Sequence, residues 1–246
     1  MKELTMEITN RCSLRCIQCS TKATDKGHVF MSLDQAKRHL DRFRDYDEVR
    51  LSGGEPFEHP RIDRICELIK GCGKKARIMT CGTYYREPIP YTFLLMLKPN
   101  VDEIIFSYHG FSKTHEKIVT GKDYRGSGDP PNWGLALDSV DRTRLAKIPF
   151  SFQTVLMKEN FSELEKIAQN VCAFGIAKLF NSPWLGEEEL NWHILRFVKQ
   201  GRGKDNSYQA IDEEQARELP RIVKQLGKRF YNVHITLSGM RPNLIY

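Results

Sequence analysis

Cys12-Ser13-Leu14-Arg15-Cys16-Ile17-Gln18-Cys19 places three thiols within eight residues. The stretch directly before it, Leu4 to Thr9, reads as a β-strand, so the thiols sit on the loop that leaves a first strand. In parallel α/β sheets, reactive groups gather at the carboxyl ends of the strands. Three thiolates can hold three irons of a [4Fe–4S] cluster and leave the fourth iron without a protein ligand. Such an open position lets a metal centre bind a substrate or cofactor directly. Zinc is a competing reading, with His28 as the nearest fourth ligand. Three inert, buried cysteines are another.

Outward from this loop, short apolar runs alternate with amphipathic stretches, as in repeated βα units. Ser32-Leu33-Asp34-Gln35 is a capping box that opens a helix with Leu33, Ala36, Leu40 and Phe43 on one face. Val49 to Ser52 predicts a second strand. Pro60 suits the first position of the next helix. Arg77 to Thr80, Glu103 to Tyr108, Phe150 to Leu156 and Trp192 to Val198 predict four more strands. Helices are expected near Tyr91 to Leu97, over Trp133 to Ala146, and from a cap at Asn160 to Phe174. Residues 121–132 read as a loop, and 176–190 as an irregular excursion. Residues 201–207 read as a linker, followed by a helix striped with Ala216, Leu219, Ile222, Val223 and Leu226 and a last strand at Val233 to Leu237. The expected fold class is α/β, a partial (βα)6 TIM-like open barrel over residues 1–200. A linker, helix and strand over 201–246 extend it.

The chain has 246 residues, 40% hydrophobic and 28% charged, which suits a folded domain with a real core. It shows no apolar run long enough for a membrane span and no secretory signal at its start. Seven cysteines, three of them crowded together, suit metal ligation better than a disulfide framework. A reducing compartment, the cytoplasm, is therefore expected. The net charge of +7 fits either a solubilising surface or an acidic partner such as nucleic acid, an acidic peptide or an electron donor.

Gly53-Gly54-Glu55-Pro56 follows the second strand and so falls on the same face. Glycines let backbone approach a ligand closely, and a carboxylate or backbone carbonyls accept hydrogen bonds from an ammonium group. By itself the segment also reads as an ordinary turn. Together, the Cys-x3-Cys-x2-Cys loop and this Gly-Gly-Glu-Pro segment resemble the radical S-adenosylmethionine (SAM) superfamily.

The resemblance implies that Cys12, Cys16 and Cys19 bind a [4Fe–4S] cluster whose unique iron is chelated by SAM. It implies that Gly53, Gly54, Glu55 and Pro56 contact the SAM amino group. It also implies reductive cleavage of SAM to a 5′-deoxyadenosyl radical that abstracts hydrogen from a substrate. Thr80-Cys81-Gly82-Thr83 is similar to the family's Thr-Asn-Gly-Thr. Ser107-Tyr108-His109-Gly110 stands where many members have Ser-Leu-Asp-Gly, with Ser107 a candidate SAM contact. Arg196 is a candidate partner for the SAM carboxylate or ribose, or else an outward ion pair. Residues 195–203 resemble the sixth strand of members with a C-terminal SPASM or twitch extension, most of which modify peptides or proteins. Further cysteines would be expected after the barrel in such members, and none follows Cys172 here. The expectation is a member without its auxiliary-cluster region, or a truncated one.

Gln18 departs from the family's usual aromatic before the third cysteine, and His109 from its aspartate. Cys66, Cys72, Cys81 and Cys172 are scattered and read as ordinary residues, with Cys81 at a strand end the one to watch. Tyr108 and His109 face substrate or simply pack. The expected activity is radical chemistry on a peptide or protein side chain, with a flavodoxin or ferredoxin as reductant. The alternatives are modification of a nucleoside or RNA base, and an iron–sulfur sensing module that cleaves no SAM.

Overall fold

Strand and helix alternate along the chain in the computed structural model, which describes residues 2–126, 131–180 and 190–238, of 176–180 the backbone alone. Strand β1 (Glu3–Thr9) leads through α1 (Leu33–Arg42) to β2 (Glu48–Gly53), and α2 (Ile62–Gly71) leads on to β3 (Lys75–Thr80). A two-stranded hairpin, β4 (Thr83–Tyr84) and β5 (Glu87–Pro88), precedes α3 (Tyr91–Leu97) and β6 (Glu103–Ser107). Helices α4 (Ser112–Thr120) and α5 (Pro131–Leu145) lead to β7 (Phe150–Leu156). Then come α6 (Lys158–Phe161), α7 (Leu164–Phe180), β8 (Leu190–Arg196), α8 (Arg202–Asp205), α9 (Glu213–Arg229) and β9 (Val233–Ser238).

The chain forms two compact units. The first comprises Met1–Arg15, Thr21–Ser107 and Gly134–Phe150; the second comprises Cys16–Ser20, Tyr108–Trp133 and Ser151–Tyr246. In the first unit β1, β2, β3 and β6 lie side by side in that order, every pair parallel. Their carboxyl ends therefore share one edge. In the second, β7, β8 and β9 are likewise parallel neighbours, with Phe152 opposite Trp192 and Leu190 opposite Val233. Within each unit the order is open-ended, so neither closes into a barrel. This is the expected α/β class of parallel strands with crossover helices.

Local chemistry explains the helices. Ser32 caps α1 by accepting the Gln35 amide at 3.2 Å, and the Gln35 side chain accepts the Ser32 amide at 2.7 Å. Ala36 and Leu40 of α1, and Ile62, Ile65, Cys66 and Ile69 of α2, are buried against the first unit's core. Each fully buried leucine or isoleucine contributes about 1.5–3 kcal/mol. Asp212 and Gln215 form the same box at the head of α9, which buries Ala216, Leu219 and Leu226.

Several expectations need correcting. Pro60 stands outside α2, whose first residue is Ile62; His59 Nδ1 accepts the Arg61 amide at 3.1 Å and sets the turn before it. Asn160 is no cap for a long helix. It lies inside the short α6 and is fully buried, with its Oδ1 accepting the Met157 amide at 2.8 Å. Helix α4 and the β4–β5 hairpin occupy stretches for which no element was expected. Residues 201–207 are not a linker, since α8 and a 3-10 turn at Ser207–Gln209 occupy them. Of the excursion expected at 176–190, residues 176–180 continue α7 and Leu190 begins β8, while 181–189 lie outside the described residues, as do 127–130 of the expected loop.

Candidate functional site

In the first unit the two motifs are stitched together by backbone. The Gly54 amide donates to the Thr9 carbonyl at 2.6 Å, and the Glu55 amide donates to the Arg11 carbonyl at 2.7 Å. Residue 53 has φ of +121°, and a β-carbon there would lie 2.4 Å from the Thr9 oxygen. At position 54 a β-carbon would lie 1.9 Å from the Arg11 oxygen. Both positions therefore demand glycine: 53 for its backbone angle as well as space, 54 for space alone.

Glu55 is almost fully buried. Its Oε1 accepts from the Thr80 hydroxyl at 2.8 Å and the Phe57 amide at 3.1 Å, and its Oε2 accepts the Cys81 amide at 2.8 Å. The carboxylate thus joins the end of β2 to the end of β3. Burial raises its pKa to about 7 against the pull of those donors. Pro56 starts the buried 3-10 turn Pro56–Glu58.

That turn delivers a residue that lies outside both sequence motifs. Glu58 is fully buried; its Oε1 accepts both the amide of Ser13 at 3.0 Å and the Ser13 hydroxyl at 2.5 Å. Arg11 Nε stands 3.5 Å from the other carboxylate oxygen, at ion-pair distance without hydrogen-bond alignment. Residues on both sides of Cys12 are therefore fixed by one carboxylate. The signal was present in Glu55-Pro56-Phe57-Glu58, a second acid three residues after the first.

Cys12 is buried at the carboxyl edge of the first unit; Cys16 and Cys19, half-buried, belong to the second. No disulfide ties them. Among the described residues no three His, Cys, Asp or Glu side chains converge on a single-ion site. An iron–sulfur cubane instead presents a separate iron to each thiolate. Three reduced cysteines on one loop, backed by satisfied carbonyls, are a donor set that fits it. His28, the zinc candidate, is exposed.

Ser107 ends β6 half-buried on the same sheet edge as Gly53. Arg196 ends β8 in the second unit and is exposed. Cys81 follows β3 with its Sγ 3.1 Å from Thr83 Oγ1. Cys66 is core, Cys72 is exposed, and the Cys172 thiol donates to Asn232 Oδ1 at 2.9 Å.

Tyr108 and His109 are interior groups. The Tyr108 hydroxyl accepts from Trp133 Nε1 at 3.2 Å and Asn170 Nδ2 at 2.8 Å. His109 Nδ1 accepts the Val155 amide at 3.2 Å, and Asn160 Nδ2 donates to the His109 carbonyl at 2.7 Å. Burial lowers the His109 pKa to about 4 and that of its stacked neighbour His115 to about 3.

The family model described as the radical SAM superfamily matches residues 6–171, which covers both motifs. The chain belongs to the radical SAM superfamily. Among curated relatives, the antilisterial bacteriocin subtilosin biosynthesis protein AlbA of Bacillus subtilis (strain 168) is 26% identical over 87% of this chain and 44% of its own length. The tungsten-containing aldehyde ferredoxin oxidoreductase cofactor-modifying protein of Pyrococcus furiosus is 24% identical over 75% of this chain and 52% of its own. Streptococcus suis SuiB bound to S-adenosylmethionine superposes with a TM-score of 0.69 at 14% identity, covering 99% of this chain and 53% of SuiB. That likeness shows the radical SAM fold. The chain spans about half the length of these relatives. Membership in the superfamily implies SAM and an iron–sulfur cluster as cofactors. Among the described residues no helix is long and apolar enough to cross a membrane.

Proposed function

We propose that this radical SAM protein cleaves SAM reductively at a [4Fe–4S] cluster and abstracts hydrogen from a peptide or protein side chain. One observation carries the reading: the Gly-Gly-Glu backbone is hydrogen-bonded to Thr9 and Arg11, immediately before Cys12. A cofactor-binding loop and a cluster-ligand loop are built as one edge.

Cys12, Cys16 and Cys19 would hold the cluster as thiolates. When bound, cluster and SAM supply one-electron cleavage of the sulfonium and a hydrogen-abstracting carbon radical. The chain's own residues orient them. Glu55, with both oxygens already engaged by protein donors, braces the loop. Backbone carbonyls of Gly53 to Pro56 would offer an ammonium further acceptors, that of Gly54 foremost, since those of Glu55 and Pro56 already accept the Glu58 and His59 amides and that of Gly53 the Thr21 hydroxyl. Glu58 holds the Ser13 backbone amide on one side of Cys12 and pairs with the Arg11 side chain on the other. Ser107 and Arg196 supply a hydroxyl and a guanidinium for the cofactor's polar groups.

The peptide substrate rests on the company the chain keeps. SuiB has been crystallised with its precursor peptide SuiA, and AlbA serves bacteriocin biosynthesis. A net charge of +7 suits an acidic flavodoxin or ferredoxin as electron donor in a reducing cytoplasm. Anaerobic reconstitution with iron and sulfide, then dithionite and SAM, is expected to release 5′-deoxyadenosine. A fully loaded cluster that yields none rejects the enzymatic reading. Turnover enhanced by nucleotides and not by peptides moves the substrate to the nucleoside class.

A further inference from the structure

Three backbone carbonyls of the cysteine loop are capped from one place in the second unit. The Arg202 amide donates to the Cys19 carbonyl at 2.8 Å, and Arg202 Nε donates to the Cys16 carbonyl at 2.9 Å. Asn206 Nδ2 donates to the Ile17 carbonyl at 3.2 Å and to the Arg202 carbonyl at 3.0 Å, tying the cap to its own turn. Gly201 makes this approach feasible. It has φ of +57°, and a β-carbon there would lie 2.3 Å from the Ser20 oxygen and 2.5 Å from the Cys19 oxygen. The loop is also anchored from within. The Ile17 amide donates to the Ile118 carbonyl at 2.9 Å, and the Ile17 side chain packs on the buried cluster of Ile118, Met157 and Phe197.

We propose that Arg202 and Asn206 are positioning residues for the iron–sulfur cluster. They fix the backbone of Cys16 to Cys19 so that two ligand thiols are preset before metal arrives. Groups that hold metal ligands by hydrogen bonds typically change metal affinity about 10–100-fold when removed. The Arg202 side chain acts on the carbonyl of a ligand residue, and its amide acts on that of another. Gly201-Arg202-Gly203 is thereby part of the cluster site, although it lies about 180 residues along the chain from it.

The inference rests on the cluster reading above, and its test separates the two. Anaerobically reconstituted holoprotein is challenged with a ferrous chelator, and the loss of cluster absorbance is timed. The low-temperature EPR spectrum of the dithionite-reduced cluster is recorded alongside. Arg202→Met removes the Nε donor and keeps the amide bond to Cys19. It is expected to lose cluster about tenfold faster and to shift or broaden the EPR signal. Arg202→Lys, which retains a long N–H donor, is expected to recover most of that loss. Asn206→Ala serves as the second variant, with a smaller acceleration in the same direction. Circular dichroism confirms that each variant is folded. Wild-type stripping rates and spectra in folded Arg202→Met and Asn206→Ala would overturn the proposal. So would an Arg202→Lys variant that behaves like Arg202→Met. A wild-type chain that takes up no cluster overturns the cluster reading itself.

Discussion

The amide of Glu55 donates to the carbonyl of Arg11 at 2.7 Å, which locks the loop after β2 to the residue preceding Cys12. Two motifs separated by a full βα unit in sequence are thus a single backbone structure. That arrangement tells which substitutions should damage the site and how.

Gly54→Ala forces a β-carbon to 1.9 Å from the Arg11 carbonyl, backbone against backbone. Neither atom is the end of a flexible side chain, so the loop must separate from the Cys12 segment. The expected cost is about 3 kcal/mol. Reconstituted protein should also hold SAM weakly. Urea denaturation and equilibrium dialysis with labelled SAM check both; unchanged values would mean the two segments are not joined.

Glu58→Gln keeps the shape but replaces a charge that Ser13 and Arg11 share. Glu58→Ala goes further and leaves the Ser13 amide without its acceptor. The expected loss is about 1–3 kcal/mol for the alanine variant, with lower iron content after reconstitution. Iron and sulfide assays against the wild type read the second effect directly.

Glu55→Gln turns an acceptor into a donor opposite the Cys81 or Thr80 group, whichever oxygen the amide nitrogen replaces. The expected destabilisation is about 1–3 kcal/mol. The variant also removes a titration. Burial raises the Glu55 pKa from an ordinary 4.5 to about 7, so between those values the folded chain holds more protons than the unfolded. This group therefore makes stability fall as pH rises through that window, by up to about 1.4 kcal/mol per pH unit. Glu55→Gln should show a pH profile without that component.

The histidine pair acts in the opposite direction. His109 and His115 are buried neutral, with pKa values lowered to about 4 and about 3 from an ordinary 6.5. Below 6.5 the unfolded chain takes up protons that the folded chain refuses, so stability is full above 6.5 and falls on acidification. Two histidines outweigh one carboxylate over pH 4.5 to 6.5, so among these groups a net acid lability is expected. Replacing His115 with glutamine should flatten the acid limb in a series of urea melts; an unaltered limb would contradict the assignment.

The strands were legible because their apolar runs are bounded by turn residues, and their observed ends fall within two residues of the expected ones. The capping box at Ser32 and the apolar stripe of α9 were equally readable, being local chemistry. Helix α4 hid because its buried face includes His115 and Glu116 beside Ile118 and Val119, which breaks the apolar period. The hairpin β4–β5 turns on Tyr85 and Arg86, both at positive φ, where a turn signature would show glycine or asparagine. Asn160 looked like a cap because a cap and a buried knot use the same amide. In the fold its donors reach the carbonyls of His109 and Val155.

The site divides in the same way. Cysteine spacing and Gly-Gly-Glu-Pro are visible in one dimension. The second acid at Glu58 and the clamp from Arg202 and Asn206 depend on chain segments meeting, and composition carries no trace of that. Residues 201–207 resembled a linker because α8 has no apolar stripe of its own; its order comes from the loop it covers.

Gly54 and Gly201 together set how this chain can diverge. Each leaves less than a methyl group's clearance above a neighbouring carbonyl, one beside Arg11 and one beside Ser20. Relatives that drift freely at Gln18 or Ser20 should hold these two positions invariant. A search pattern that pairs the cysteine triplet with both glycines would sort true kin from chance thiol spacings more sharply than the triplet does.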